Sequence, residues 1–182
     1  MVPAGYMSKR VASRPEWLAV TGVRDIYSVS NCISDDFADY INCWKHNGYW
    51  LFNSPEVIAE VAAAVGASLE GAKLFYYEVY EQEYNQDSGL WSSFSPEASF
   101  QTEVASPVAK SIEGYDVVNF YAYTSPECSP LSCNNLASTV RVNQHCLFPT
   151  FENAVAAVET GKFKAGEPGP LRVFAVYSIV GS

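Results

Sequence analysis

Two apolar rhythms run through this chain, one repeating every second residue and one every three to four. Lys73 to Tyr84 (KLFYYEVYEQEY), Tyr115 to Tyr123 and Leu171 to Ile179 are dense in aromatic and β-branched residues and predict strands. Arg24 to Ser30 (RDIYSVS) alternates over a shorter span and predicts another, with Ala98 to Val104 a weaker one. Asp87-Ser88-Gly89 predicts a hairpin turn into Leu90 to Phe94. Helical spacing links Ile58, Val61, Ala62 and Val65 behind Ser54-Pro55-Glu56. That triplet offers a hydroxyl cap, a proline where no amide is needed, and a carboxylate at the positive end of the helix dipole. Gly66 ends the pattern. Thr150 caps a second such helix, with Ala154, Val155 and Val158 inward and Gly161 at its end. A third helix is expected from Ser34, with Phe37, Tyr40, Ile41 and Trp44 on one face and Asn47-Gly48 as its stop.

Strands alternating with helices, but interrupted by hairpins, favour an α+β fold over a doubly wound parallel sheet. A faint internal repeat sharpens this. Shifted by about 96 residues, Asn47, Leu51, Phe52 and Glu56 meet Asn143, Leu147, Phe148 and Glu152, and Cys32 falls opposite Cys128. With one more inserted residue, Leu74, Val79 and Tyr80 meet Leu171, Val176 and Tyr177. The expected architecture is two similar β-α-β-α-β half-units related by a pseudo-twofold, with an antiparallel or mixed sheet and helices on one face. Residues 1–14, rich in Pro, Gly and Ser, read as a flexible arm. Residues 15–106 form the first half-unit with an acidic hairpin extension, and 107–182 the second, where the loop Ser125 to Asn135 (SPECSPLSCNN) replaces a helix.

Composition sets the class of molecule. At 182 residues, 48% hydrophobic and 17% charged, the chain is globular and long enough to fill a core without staples. Its apolar runs are too short to span a membrane. The N-terminus lacks the apolar segment of a secretory signal, and five cysteines do not form the layout of a secreted disulfide framework, so a cytoplasmic address is expected. Net charge is −9, yet Lys9, Arg10 and Arg14 precede every acidic residue. No Lys or Arg lies between Leu74 and Ala109. Such a body repels phosphate backbones, which disfavours nucleic acid and favours a basic protein partner.

Candidate chemistry falls into three groups. Every cysteine and histidine lies in two windows, Cys32, Cys43 and His46, then Cys128, Cys133, His145 and Cys146. Cys43-x-x-His46 has a chelating spacing that Cys128 and Cys133 could complete into a zinc site, although paired C-x-x-C motifs are absent and cysteine also packs as a small apolar residue. Alternatively Cys128 or Cys133 is a nucleophile in a Ser/Pro-rich loop with His145 as its base, or the two form a regulatory disulfide. Glu81 and Glu83 share a strand face and could act as a carboxylate pair, against the simpler reading of a solvated acidic face. There is no phosphate-cradling glycine loop, no G-x-S-x-G and no H-E-x-x-H, and no cofactor is expected.

The aromatic content, 14%, concentrates beside the acidic hairpin. Tyr76, Glu78, Tyr80, Glu81, Glu83, Tyr84, Asp87 and Trp91 together predict a surface of rings and negative charge for a basic protein. On sequence alone the leading expectation is therefore a non-enzymatic acidic binding protein, monomeric or homodimeric, of an immunity-protein or inhibitor type. The alternatives are a small-molecule enzyme or sensor with a Cys/His pocket between the halves, and a metal-binding domain.

Overall fold

The computed structural model describes residues 1–36, 45–120 and 126–179. The strands are β1 (Val2–Arg10), β2 (Ala12–Ser13), β3 (Asp25–Ile26), β4 (Asp35–Asp36), β5 (Lys73–Asn85), β6 (Leu90–Ser93), β7 (Lys110–Asn119) and β8 (Leu171–Ile179), and the helices are α1 (Pro55–Val65), α2 (Pro130–Cys133) and α3 (Phe151–Glu159). One six-stranded sheet runs in the order β4-β1-β5-β8-β7, with β6 paired to the far end of β5, and β2 and β3 form a separate pair. Every pairing is antiparallel, so the fold is α+β with few helices. Among the described residues no helix is long and apolar enough to cross a membrane.

The sheet strands bury consecutive residues, Ala4 to Lys9, Phe75 to Tyr77, Val117 to Asn119 and Val173 to Val176, because both faces are covered. On one face Tyr27 packs edge-on against Phe75, with ring centroids 4.9 Å apart. On the other, Tyr6, Tyr76 and Tyr177 lie side by side in register, and the segment after β6 closes over them. There the Tyr6 hydroxyl donates to the Ala105 carbonyl at 2.6 Å, and the Tyr76 hydroxyl lies 2.8 Å from Ser106 Oγ.

Both helix starts follow the sequence. Ser54 Oγ accepts from Val57 N–H and Thr150 Oγ1 from Asn153 N–H, while Gly66 takes the left-handed conformation that ends α1. The hairpin also forms, its turn held by the Asn85 side chain accepting from the Asp87 and Ser88 amides.

Five expectations are corrected. The supposed arm, residues 1–14, is strand β1 followed by β2, and β1 is an inner strand between β4 and β5. Of Arg24 to Ser30 only Asp25–Ile26 is strand, because the following residues bend over the sheet to meet Lys9. Ser34 does not start a helix: its hydroxyl donates to the Ile26 carbonyl at 2.8 Å, and Asp35–Asp36 pair with Arg10 and Lys9. The other residues of that expected helix, Phe37, Tyr40, Ile41 and Trp44, lie outside the described residues. Ala98 to Val104 forms no strand, and the strand expected from Tyr115 to Tyr123 is Lys110–Asn119, its final predicted residues 121–123 being outside the described set.

One local arrangement occurs twice. Gly5 on β1 sits at φ 146° against the loop that begins at Asn47, and Gly114 on β7 sits at φ 147° against the loop that begins at Asn143. Asn47 donates its side-chain amide to the Ala4 carbonyl at 2.8 Å, and Asn143 to that of Glu113 at 2.6 Å. Each asparagine Oδ1 accepts two amides of its own loop, Tyr49 and Leu51 in one and His145 and Leu147 in the other. Trp50 and Cys146 both take φ 61° at the same step.

Candidate functional site: a three-thiol cluster

Two connections meet at the site. The first follows β3. Its residues Ser28, Val29 and Ser30 turn their carbonyls onto Lys9, whose ammonium donates to them at 2.7, 2.8 and 2.8 Å and is fully buried. An ammonium has three donors, and three converging carbonyls match it. The second connection follows β7, where Asn119 and Cys128 pair as an antiparallel bridge before the short helix α2.

Asp116 on β7 ties the two together. Its Oδ2 accepts from the Val29 amide at 2.8 Å and from the Ser129 hydroxyl at 2.6 Å. Ser129 Oγ in turn accepts from the Ser30 amide at 3.1 Å. Ser129 occupies the cap position of α2 without capping it, because its hydroxyl is committed to this link. The other Asp116 oxygen, Oδ1, is buried with no hydrogen-bond partner among the described residues. Burial pushes the Asp116 carboxyl up to about 6, against the opposing pull of Ser129, Val29 and the Lys9 charge.

These fixed connections bring Cys32, Cys128 and Cys133 together, with all three sulfurs within 4.8 Å of one another. Cys32 is exposed, Cys133 half-buried and Cys128 buried. The Cys32 thiol donates to the Glu127 carbonyl at 3.0 Å, and Cys133 Sγ lies 3.8 Å from Ser30 Oγ. The neighbouring Cys128 and Cys133 thiols favour the anion of Cys32 and draw its pKa below the ordinary thiol range. Those same contacts push Cys128 up. Cys128 pulls Cys133 down, but Cys32 and burial prevail and raise it to about 11. Cys32 is thus both the exposed sulfur of the three and the one whose anion its neighbours favour.

The other cysteine and histidine candidates lie elsewhere. His145 is taken up by carboxylates, with Nδ1 on Asp25 and Nε2 3.4 Å from Glu113, and it stacks on Tyr27 at 4.0 Å, so it is not paired with a thiol. His46 bonds the Asn47 carbonyl and stacks between Trp50 and Phe100 rather than joining the cysteines. Cys43 lies outside the described residues. Burial pushes the Cys146 thiol up to about 12, and the side chain is enclosed in the core.

The acidic hairpin residues are largely engaged within the fold. Tyr76 is fully buried and Tyr84 nearly so, while Tyr80 packs edge-on between Trp91 and Phe151. Glu78 is paired with Lys110 at 2.5 Å and accepts from Tyr177 at 2.8 Å. Burial raises the Glu78 pKa, but these partners offset it and hold the carboxyl below its usual range. Glu83 is paired with Arg172 at 2.9 Å, and that guanidinium lies between the rings of Phe94 and Phe120. Trp91 Nε1 donates to Glu159 at 2.9 Å. Of the eight residues, Glu81 and Asp87 stay exposed and make no ion pair among the described residues.

The sequence presents Lys9 only as one of three N-terminal positive charges, gives Asp116 and Ser129 no role, and leaves Cys32 out of the reactive set. The one available signal was that Cys32 falls opposite Cys128 at the repeat offset. Nothing in the local sequence marks Lys9 or Asp116 as a buried anchor.

Replacing Asp116 tests the link. Its native pKa lies above the unfolded value, so the folded chain holds a proton that the unfolded chain releases. This contribution is complete below about pH 4 and is lost as pH rises through about 6. Asp116→Asn keeps an acceptor for Val29 and Ser129 but cannot ionise. The wild-type advantage over this variant should shrink by about 2–3 kcal/mol between pH 4 and pH 7, measured by urea unfolding at each pH. A difference that is flat with pH would exclude a titrating Asp116.

No protein-family model, curated protein or solved structure matches the chain.

Proposed function

We propose that this chain is a thiol redox protein in which Cys32 is the reacting sulfur and Cys128 or Cys133 resolves it. One observation carries the reading: an exposed sulfur lies within 4.8 Å of two less exposed ones, on connections anchored by Lys9 and Asp116. The substrate class is a hydroperoxide. Cys32 thiolate attacks the distal oxygen of ROOH, the O–O bond breaks, and ROH leaves with one proton. Cys32 becomes a sulfenic acid. A neighbouring thiol then attacks that sulfur, forming a disulfide and releasing water. Rotation of side chains must close the remaining gap, since a disulfide holds its sulfurs about 2.05 Å apart.

The test uses reduced full-length chain and hydrogen peroxide. One equivalent should remove two thiols and lower the mass by about 2 Da, with peptide mapping placing the bond at Cys32. Cys32→Ser should slow peroxide consumption at least about 100-fold, whereas Cys146→Ser should not change it. Equal rates for wild type and Cys32→Ser would end this reading.

The repeat is a second proposal. We infer that β1-α1-β5 and β7-α3-β8 are two copies of one plan, meeting where β5 pairs with β8. The matched Gly5–Asn47 and Gly114–Asn143 arrangements and the equivalent Ser54 and Thr150 caps support it. A basic protein partner is supported by the net charge of −9, without the exposed rings first expected to accompany it.

A further inference from the structure

We infer that Cys32, Cys128 and Cys133 also form a binding site for one thiophilic metal ion of the zinc and cadmium class. Three thiolates around a zinc ion, each about 2.3 Å from it, stand about 3.8 Å apart. Sulfurs no more than 4.8 Å apart reach that arrangement when each moves inward by about 0.6 Å. That is a side-chain adjustment and needs no rearrangement of the backbone.

The backbone is already set. The Ser30 amide, the Ser129 hydroxyl and Asp116 Oδ2 form one continuous hydrogen-bonded link between the connection bearing Cys32 and the one bearing Cys128 and Cys133. Lys9 fixes the first connection from below through three carbonyls. The ligands are therefore gathered by contacts that do not involve the metal, which lowers the ordering cost of binding. Exposure of Cys32 provides the entry path, and the buried side supplies Cys128. The set differs from the expected Cys43, His46, Cys128 and Cys133: Cys32 joins Cys128 and Cys133, His46 lies elsewhere, and Cys43 is outside the described residues.

This inference needs no step of the redox reading, but it acts on the same sulfurs. A bound metal takes the electron pair with which Cys32 attacks a hydroperoxide, so loaded chain reacts more slowly than free chain.

The experiment adds zinc, and separately cadmium, to reduced, folded full-length chain in competition with a chromogenic chelator. The expected result is one ion per chain, a sulfur-to-cadmium charge-transfer band, and an absorption fine structure dominated by sulfur neighbours. Cys32→Ser and Cys133→Ser, each checked for native circular dichroism, should weaken binding at least about 100-fold, and Cys146→Ser should leave the stoichiometry at one. A folded, reduced chain that takes up no ion would overturn the inference. So would uptake that survives in both Cys32→Ser and Cys133→Ser. A chain that takes up no metal yet loses two thiols to peroxide overturns the metal site alone. Stoichiometric metal with thiols inert to peroxide overturns the redox reading alone.

Discussion

Lys9→Met should destabilise the chain by about 3–5 kcal/mol, measured by urea unfolding at neutral pH. The methionine fills similar volume but donates nothing. It leaves the carbonyls of Ser28, Val29 and Ser30 without their shared donor in a site with no solvent access. It also removes the positive charge that favours ionised Asp116. Lys9→Arg should not rescue, because a planar guanidinium cannot place three donors on one converging point and is too large for a fully buried position. The loss should extend to function, since the freed connection carries Cys32. A Lys9→Met variant within about 1 kcal/mol of wild type would mean that other donors replace the ammonium.

Gly114→Ala and Gly5→Ala should each cost about 3–5 kcal/mol, and by similar amounts. At φ near 147° an L side chain is strained whatever space surrounds it. Space is lacking as well. A Cβ on Gly5 would lie 2.6 Å from Leu51 Cβ and 2.8 Å from the Phe52 carbonyl oxygen. On Gly114 it would lie 2.8 Å from both Leu147 Cβ and the Phe148 oxygen. The obstructing oxygens are bonded to strand amides, Phe52 to Tyr6 and Phe148 to Tyr115, and cannot withdraw without breaking those bonds. Thermal unfolding of the two variants beside Gly71→Ala is the measurement. Gly71 also has positive φ, but a Cβ there would meet nothing within 4 Å, so it isolates strain from crowding. If all three variants fall equally, the close approach contributes nothing.

What the sequence revealed depended on whether the determining contacts were local. Ser54-Pro55-Glu56 and Thr150 announce helices because a cap is made within three residues. The long strands at Lys73 and Leu171 announce themselves because residues buried on both faces form nearly continuous apolar runs. Strand β1 was hidden because Pro3, Gly5, Lys9 and Arg10 resemble a solvated tail, and burial of Lys9 depends on carbonyls about 20 residues away. Ser34 looked like a cap and instead holds the Ile26 carbonyl, a contact across eight positions. At the site, Cys128 and Cys133 stood out by their loop, whereas Cys32 joined them only through folding. His145 followed by a cysteine suggested a base, but Asp25, far away in sequence, took the imidazole.

The position of β8 within the sheet bears on how the chain is made. It follows both β5 and β7 in chain order, yet it lies between them and hydrogen-bonds to both. While a ribosome is still producing the preceding residues, β5 and β7 have no common neighbour, and apolar side chains such as Tyr77 and Val118 await their lid. Completion must be a late, long-range event, which slows folding and lengthens the window for chaperone engagement. Nascent chains stalled before Leu171 should therefore be protease-sensitive almost throughout.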